Sequence, residues 1–310
     1  MDKRKEEENK EFDFALGKRW VTGIPYEVAF WRSYYRRRKS REALMSWSLL
    51  GKECELDNFD IASYINGIDR EDPVIVDVGC ALSYMFSNII DGKEYNVRYL
   101  DPLAPFYNKI LDDYSLDYPR ISFGMGEALS LVFPKDSVTL FHIRNALDHS
   151  VRPMMVIWQA LICLHVGGVL YLNHKPNEAE HEAYVGFHQY NVDCVDGRLI
   201  IWNRDERIDV GEALAGYADV KASVTDKGFI VGVVTKTGDL SGDHWAVLES
   251  GTYAAGMLET LMTYFHKLPN SFSYQVKRGS FSVMHRFVRM LPGGLLRKIK
   301  TLVSGKKAME

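Results

Sequence analysis

The sequence predicts an α/β fold built on a doubly wound, mostly parallel sheet, and three observations carry that prediction. Short apolar runs recur between Pro73 and Asn173, several of them rich in β-branched residues. Segments of helical period separate them, the alternation that builds right-handed crossovers. The first run passes straight into Asp77-Val78-Gly79, a strand end followed by a glycine turn.

The elements follow in order. Residues 1–12 form a charged tail. Gly23 to Ser48 has helical period, with Ile24, Val28, Trp31, Tyr35 and Leu44 facing inward and Arg36-Arg37-Arg38-Lys39 interrupting it. A second helix covers Phe59 to Ile68. Pro73 to Val78 is the first strand, and a helix from Ser83 to Ile90 follows it. Val97 to Leu100 is the second strand, closed by Asp101-Pro102, with a helix from Phe106 to Asp113 behind it. Ile121 to Phe123 and Val138 to Ile143 are the third and fourth strands. Val151 to Leu164 is a helix, and Val166-Gly167-Gly168 turns into the fifth strand, Val169 to Asn173. Lys175 to Asn191 reads as a long functional connection. Arg198 to Trp202 is an added strand. Asp219 to Val224 and Phe229 to Lys236 complete a seven-stranded sheet, joined at Asp226-Lys227-Gly228. From Thr252 the pattern is helical again and ends basic. The chain thus divides into an N-terminal tail and helical lid (1–72), a core (73–240), and C-terminal helices with a basic amphipathic tail (241–310).

Bulk properties narrow the function classes. The chain has 310 residues, 46% of them hydrophobic, enough for one large α/β domain with a modest extra lobe. A net charge of −3 gives no sign of a nucleic-acid binder. Cys54, Cys80, Cys163 and Cys194 form no C-x-x-C pair and no zinc spacing, so they read as free thiols in a reducing compartment. The run MDKRKEEENKEFD lacks the apolar stretch of a secretory signal, and no window approaches the ~18 apolar residues of a membrane span. A cytoplasmic location is expected.

The chemistry centres on strand ends. Gly79 lets the backbone approach a bound cofactor closely, and a helix after it would add N–H donors. Asp77 places an acid where a dinucleotide site would need room for pyrophosphate, and G-x-G-x-x-G is missing. An acid here suits a cationic amino-acid end. Asp101 closes the next strand about 20 residues beyond Gly79, the usual distance for an acid that takes ribose hydroxyls.

With these residues in place, the sequence resembles the class I S-adenosylmethionine-dependent methyltransferases, over residues 73–236. Asp77-Val78-Gly79-Cys80-Ala81-Leu82-Ser83 looks like their glycine-rich motif, with Ala81 and Ser83 where glycine is usual. Asp101 matches their ribose-binding acid. Gly124-Met125-Gly126-Glu127-Ala128-Leu129 looks like their third motif, with Met125 in place of the acid that meets adenine. The resemblance implies a Rossmann-like fold and S-adenosylmethionine held by Asp77, Gly79, Cys80, Ala81, Ser83, Asp101, Pro102, Gly126, Glu127 and Asn145, with Glu127 serving the adenine. A narrower likeness joins Gly23-Ile24-Pro25-Tyr26-Glu27, Asn145 to Ser150, Asn177 to Glu180 and Tyr184 to Asn191 to a bacterial subgroup linked to surface polysaccharides. It implies O-methylation of a sugar or glycan hydroxyl.

A neutral hydroxyl is a poor nucleophile, so a general base is expected beyond the fourth and fifth strands. Asp148, His149, His174, Glu178, Glu180 and His188 are the groups available there. His149 and His188 are the base candidates, each weighed against a structural role. Asp148 either orients His149 or caps the following helix. Phe187 and Tyr190 read as a wall for a sugar face. Glu178 and Glu180 share a face only if their segment is extended. A carboxylate–histidine metal site is open to these residues, but no spacing demands one and no metal is assigned. The cluster of Arg32, Arg36, Arg37, Arg38, Lys39 and Arg41 is either a solvated face or a lid for a phosphate-bearing acceptor. The basic amphipathic stretch from Phe281 to Lys307 either packs on the domain or lies on an anionic membrane surface, which would suit a lipid-linked acceptor and a peripheral place on the inner face of the membrane. Two alternatives stay open: a small-metabolite acceptor, and a catalytically silent cofactor-binding scaffold at a membrane assembly.

Overall fold

In the computed structural model the described residues are Gly17, 20–184, 186–242 and 244–267, with single positions at 272, 275, 276, 279, 280 and 283. The basic stretch from Phe281 to Lys307, Val283 apart, lies outside them, as does the N-terminal charged tail.

The chain opens with α1 (Ile24–Arg36) and α2 (Arg38–Trp47), broken at Arg37, whose backbone is extended. The predicted inward residues Ile24, Val28, Trp31, Tyr35 and Leu44 are all buried. A short α3 (Ile61–Asn66) is capped by Asp60, whose carboxylate accepts from Ser63 N. Then come β1 (Ile75–Val78), β2 (Ile89–Ile90), β3 (Lys93–Glu94), β4 (Val97–Asp101), α4 (Ala104–Asp113), β5 (Ser122–Phe123) and β6 (Val138–Arg144). They are followed by α5 (Pro153–Cys163), β7 (Leu164–His174), α6 (Glu178–His181), β8 (Asn191–Val195), β9 (Arg198–Trp202) and β10 (Arg207–Asp209). The chain continues through α7 (Val210–Ala213), β11 (Ala218–Val224), β12 (Ile230–Lys236) and α8 (Trp245–Lys267). Helices α1, α4 and α5 each carry proline in the first turn, where its missing N–H costs nothing.

Seven strands form one sheet in the order β11-β12-β7-β6-β1-β4-β5. The five strands from β7 to β5 run parallel, and β12 is antiparallel to both its neighbours. The order reverses at β1, which pairs β4 on one side and β6 on the other. The crevice beyond the carboxyl ends of β1 and β6 is therefore the topological switch point, the place where such sheets bind ligands. Side chains alternate across the sheet, so Val76 and Val78 join one buried cluster and Ile75 the other. Each fully buried aliphatic side chain here contributes about 1.5–3 kcal/mol. A separate sheet, β10-β9-β8, packs on the outer strands, where Gly232 of β12 leaves room for Leu199. No helix among the described residues is long and apolar enough to cross a membrane.

The structure corrects the sequence reading in two places. The helix expected from Ser83 to Ile90 does not form. Leu82, Tyr84 and Phe86 are all buried, a period of two that an extended segment satisfies and a helix cannot. Ala81 and Tyr84 take left-handed φ angles of 45° and 46°. The crossover from β1 to β4 is a loop carrying the hairpin β2–β3, so no helix N-terminus stands beside Gly79. The second correction concerns β7, which starts at Leu164 rather than Val169. Its pairing with β6 is irregular across 165–168, where Gly167 has φ 85°.

Candidate active site

The carboxyl end of β1 is a tight junction. Gly79 has φ 70°, and a Cβ there would overlap the Cβ of Ala146, just beyond β6. The glycine turn therefore lies against the chain that leads into Asp148. Asp101, at the end of β4, fastens this turn. Its Oδ2 accepts from Ala81 N at 3.0 Å and its Oδ1 from Leu103 N at 2.7 Å. Burial pushes the Asp101 carboxyl up to about 7, with smaller contributions from the negative charges of Glu27 and Asp77.

Asp77 belongs to a row that crosses the sheet. Register places it beside Tyr99 on β4 and His142 on β6, and His142 beside Tyr171 on β7. Asp77 Oδ1 and His142 Nδ1 are 2.7 Å apart, and the imidazole stacks on Tyr171 at 11°. Asp77 Oδ2 is buried without a hydrogen-bond partner among the described residues. Asp77, Asp101 and Glu27 of α1 thus gather negative charge at the carboxyl ends of β1 and β4. That set fits a ligand bringing positive charge and hydroxyls.

The remaining residues expected at a cofactor divide. Cys80 is buried, Pro102 half-buried, and Ser83 Oγ donates to Cys80 O at 3.1 Å. Asn145, at φ 46°, accepts from Lys175 N through Oδ1 at 2.8 Å and ties the ends of β6 and β7 together. Gly126 packs against Val156 of α5. Glu127, expected at the adenine, is buried and engaged with backbone. Its Oε1 accepts from Val151 N at 2.7 Å, so the side chain holds the entry to α5. Burial pushes its carboxyl up to about 7.

The second half of the site gathers the expected base candidates. Asp148 and His149 sit in a short 3-10 turn (Leu147–His149) beyond β6, His174 ends β7, and His188 follows α6. Asp148 Oδ2 is 2.8 Å from His188 Nδ1 and 3.5 Å from His149 Nε2. The two imidazoles approach to 3.2 Å. Burial opposes ionisation of Asp148, yet the surrounding histidines hold its carboxyl well below the usual range. Burial likewise works against charge on His188, and the Asp148 hydrogen bond outweighs it, raising the imidazole. His174 is pushed down to about 4 by burial.

The connection from Lys175 to Asn191 closes around this cluster. Glu178 and Glu180 lie on α6, so they diverge: Glu178 is half-buried with Lys175 Nζ at 3.5 Å, and the Glu180 side chain is exposed. Phe187 and Tyr190 do not line an open wall. Phe187 packs against Trp20 and Gly23, and Tyr190 is buried with its hydroxyl on Glu206. Three participants escaped the sequence reading. Trp20 Nε1 donates to His149 O at 2.6 Å, and His142 and Tyr171 complete the Asp77 row. Only strand register could have found the last two.

No protein-family model matches the chain, and no curated protein matches it. Among solved structures it is similar to an S-adenosylmethionine-dependent methyltransferase from Clostridium acetobutylicum, at 11% identity and TM-score 0.36, covering 59% of this chain and 94% of that one. It is also similar to the T. Thermophilus 16S rRNA N2 methyltransferase in complex with AdoMet and guanosine, at 11% identity and TM-score 0.31, covering 59% of this chain and 40% of that one. A complex of a Haloferax volcanii methyltransferase activator with its methyltransferase gives 14% identity and TM-score 0.36, over 68% of this chain and 98% of that one. The fold is a Rossmann-like α/β fold, a mostly parallel seven-stranded sheet with flanking helices. Its identifying feature within this chain is the parallel sheet reversed at β1 and finished by antiparallel β12.

Proposed function

We propose that the chain is an S-adenosylmethionine-dependent methyltransferase that methylates a hydroxyl of a sugar or glycan acceptor, in polysaccharide synthesis. The observation that carries this reading is the adjacency at the switch point. An acid-lined glycine turn touches, through Gly79 and Ala146, the strand end that bears the carboxylate–imidazole cluster. Asp77, Asp101 and the backbone from Gly79 to Ser83 would hold the cofactor. When bound, S-adenosylmethionine supplies a methyl group on a sulfonium: the acceptor oxygen bonds to the methyl carbon, the C–S bond breaks, and its electron pair stays on sulfur in S-adenosylhomocysteine.

The chain's own residues have two tasks. Buried Asp77 and Asp101 supply negative charge for the cationic amino-acid end and acceptors for ribose hydroxyls. Asp148, His149 and His188 collect the proton that the acceptor hydroxyl loses, so that the oxygen meets the methyl carbon as a nucleophile. The sugar assignment is supported by the likeness of residues 145–150, 177–180 and 184–191 to the polysaccharide-linked subgroup. A lipid-linked acceptor would bring the chain to the inner face of a membrane.

Calorimetry with S-adenosylmethionine, S-adenosylhomocysteine and NAD tests the reading. Micromolar binding of the first two is expected, none of NAD, and binding weaker by roughly tenfold or more in Asp101→Ala. An acceptor screen on sugars then fixes the substrate. A wild-type chain that binds neither methyl donor nor product would overturn the enzyme reading, and binding without turnover on any acceptor would leave the silent scaffold.

A further inference from the structure

We propose that Asp148 Oδ2, His149 Nε2 and His188 Nδ1 bind a divalent first-row transition-metal ion. The three atoms are 2.8, 3.2 and 3.5 Å apart. Donor atoms held ~2.1 Å from one ion stand about 3.0–3.4 Å apart at octahedral and tetrahedral angles. The sides of the triangle lie within about 0.2 Å of that range.

Hydrogen bonding satisfies the triangle poorly. A neutral imidazole carries one N–H. The Nδ1–H of His188 can point at Asp148 Oδ2 or at His149 Nε2, and these lie in different directions. A cation inside the triangle takes a lone pair from each atom at once.

A second observation lies behind it. Asp148 is 3% exposed and its Oδ1 has no hydrogen-bond partner among the described residues. His174 is 1% exposed, with Nδ1 3.9 Å from that oxygen and neither ring nitrogen partnered among the described residues. A buried carboxylate faced by three imidazoles is a surplus of electron-pair donors, which a divalent ion resolves. His174 then stands behind the ligating carboxylate, its Nδ1 3.9 Å from the second oxygen. The side chains of His149 and His188 are 24% and 26% exposed, which leaves coordination positions for water or an acceptor hydroxyl.

Two imidazoles and one carboxylate suit zinc, iron, cobalt or manganese, whereas magnesium and calcium prefer oxygen ligands. Binding of the ion stands on this geometry alone. Its use rests on the methyl-transfer reading: with the lone pairs of His149 and His188 taken up, the ion would replace the imidazole base, and an acceptor hydroxyl bound to it would lose its proton to solvent water near neutral pH.

The test takes the full chain, stripped with a chelator, and titrates it with Co²⁺ alone, followed by visible absorption and calorimetry. One ion per chain is expected, with the absorption bands of a histidine-ligated site. His149→Gln and His188→Gln each weaken uptake by roughly tenfold or more, and His181→Gln, exposed outside the triangle, leaves it unchanged. No stoichiometric uptake by the wild type, or uptake undiminished in both histidine variants, overturns the site. Co²⁺ uptake without S-adenosylmethionine binding keeps the metal site and removes the methyl-transfer reading. The opposite result does the reverse.

Discussion

The two halves of the candidate site are built from different materials. Around Gly79 the carboxyls of Asp101 and Glu127 are answered by backbone, Ala81 N and Leu103 N for Asp101 and Val151 N for Glu127, with Asp77 on His142 the exception. Around Asp148 the polar side chains are answered by other side chains, and several atoms are left without partners. Backbone amides are fixed once the chain is folded, so the first half is rigid before any ligand arrives. Around Asp148 the partners are imidazoles, which can exchange a proton for a cation or a substrate, so the second half can rearrange its contacts as well as its charge.

The largest expected effect separates the halves directly. Asp148→Asn keeps the shape and removes the charge, and methyl transfer should fall by about 10²- to 10⁴-fold, with S-adenosylmethionine affinity unchanged by calorimetry. A parallel loss of cofactor binding would mean that the halves are one coupled unit. Next in size is the junction between them. Gly79→Ala forces a left-handed alanine against Ala146, which should destabilise by about 2–4 kcal/mol in denaturant titrations. Adding Ala146→Gly should restore the part due to the collision and leave the part due to φ. If the second change restores nothing, Gly79 matters for conformation alone.

The smallest effect is on pH. Asp101 and Glu127 both have folded values near 7, above their ordinary 3.8 and 4.5. Each binds its proton more tightly in the folded chain, so the stability it contributes is complete below about pH 4 and is lost as pH rises through 7. Between about pH 4.5 and 7.5 the Tm of the ligand-free chain should lose this contribution, and Asp101→Asn or Glu127→Gln should flatten that slope. Equal slopes in wild type and both variants would place the titration elsewhere.

The same contrast explains what the sequence could disclose. Strand ends with Asp77, Gly79 and Asp101 are local patterns, and β1, β4, β6 and the final antiparallel pair stand where the apolar runs place them. Asp148, His149 and His188 were nameable as candidates, but their convergence depends on how residues 175–190 fold back, which no local period encodes. The pairing of Asp77 with His142 needs parallel-strand register, set by the whole sheet. The failed helix after β1 has a plainer cause. Leu82, Tyr84 and Phe86 carry a legible two-residue period, and it prevails over the helix usual at this point of such folds.

That missing helix changes the role of the N-terminal segment. Tyr35 of α1 is fully buried and its hydroxyl donates to Leu82 O at 2.7 Å, in the crossover that would otherwise be helical. Ile24, Val28 and Trp31 are buried with it, and Trp31 packs on Tyr107 of α4. The segment is a retaining wall rather than a hinged door: swinging it outward would strip one side of the core, at the cost of a local unfolding event. Traffic into the site is cheapest along the partly exposed edge of His149 and His188. Trimming residues 20–47 would leave the protein short of a wall, with no gate opened by their removal.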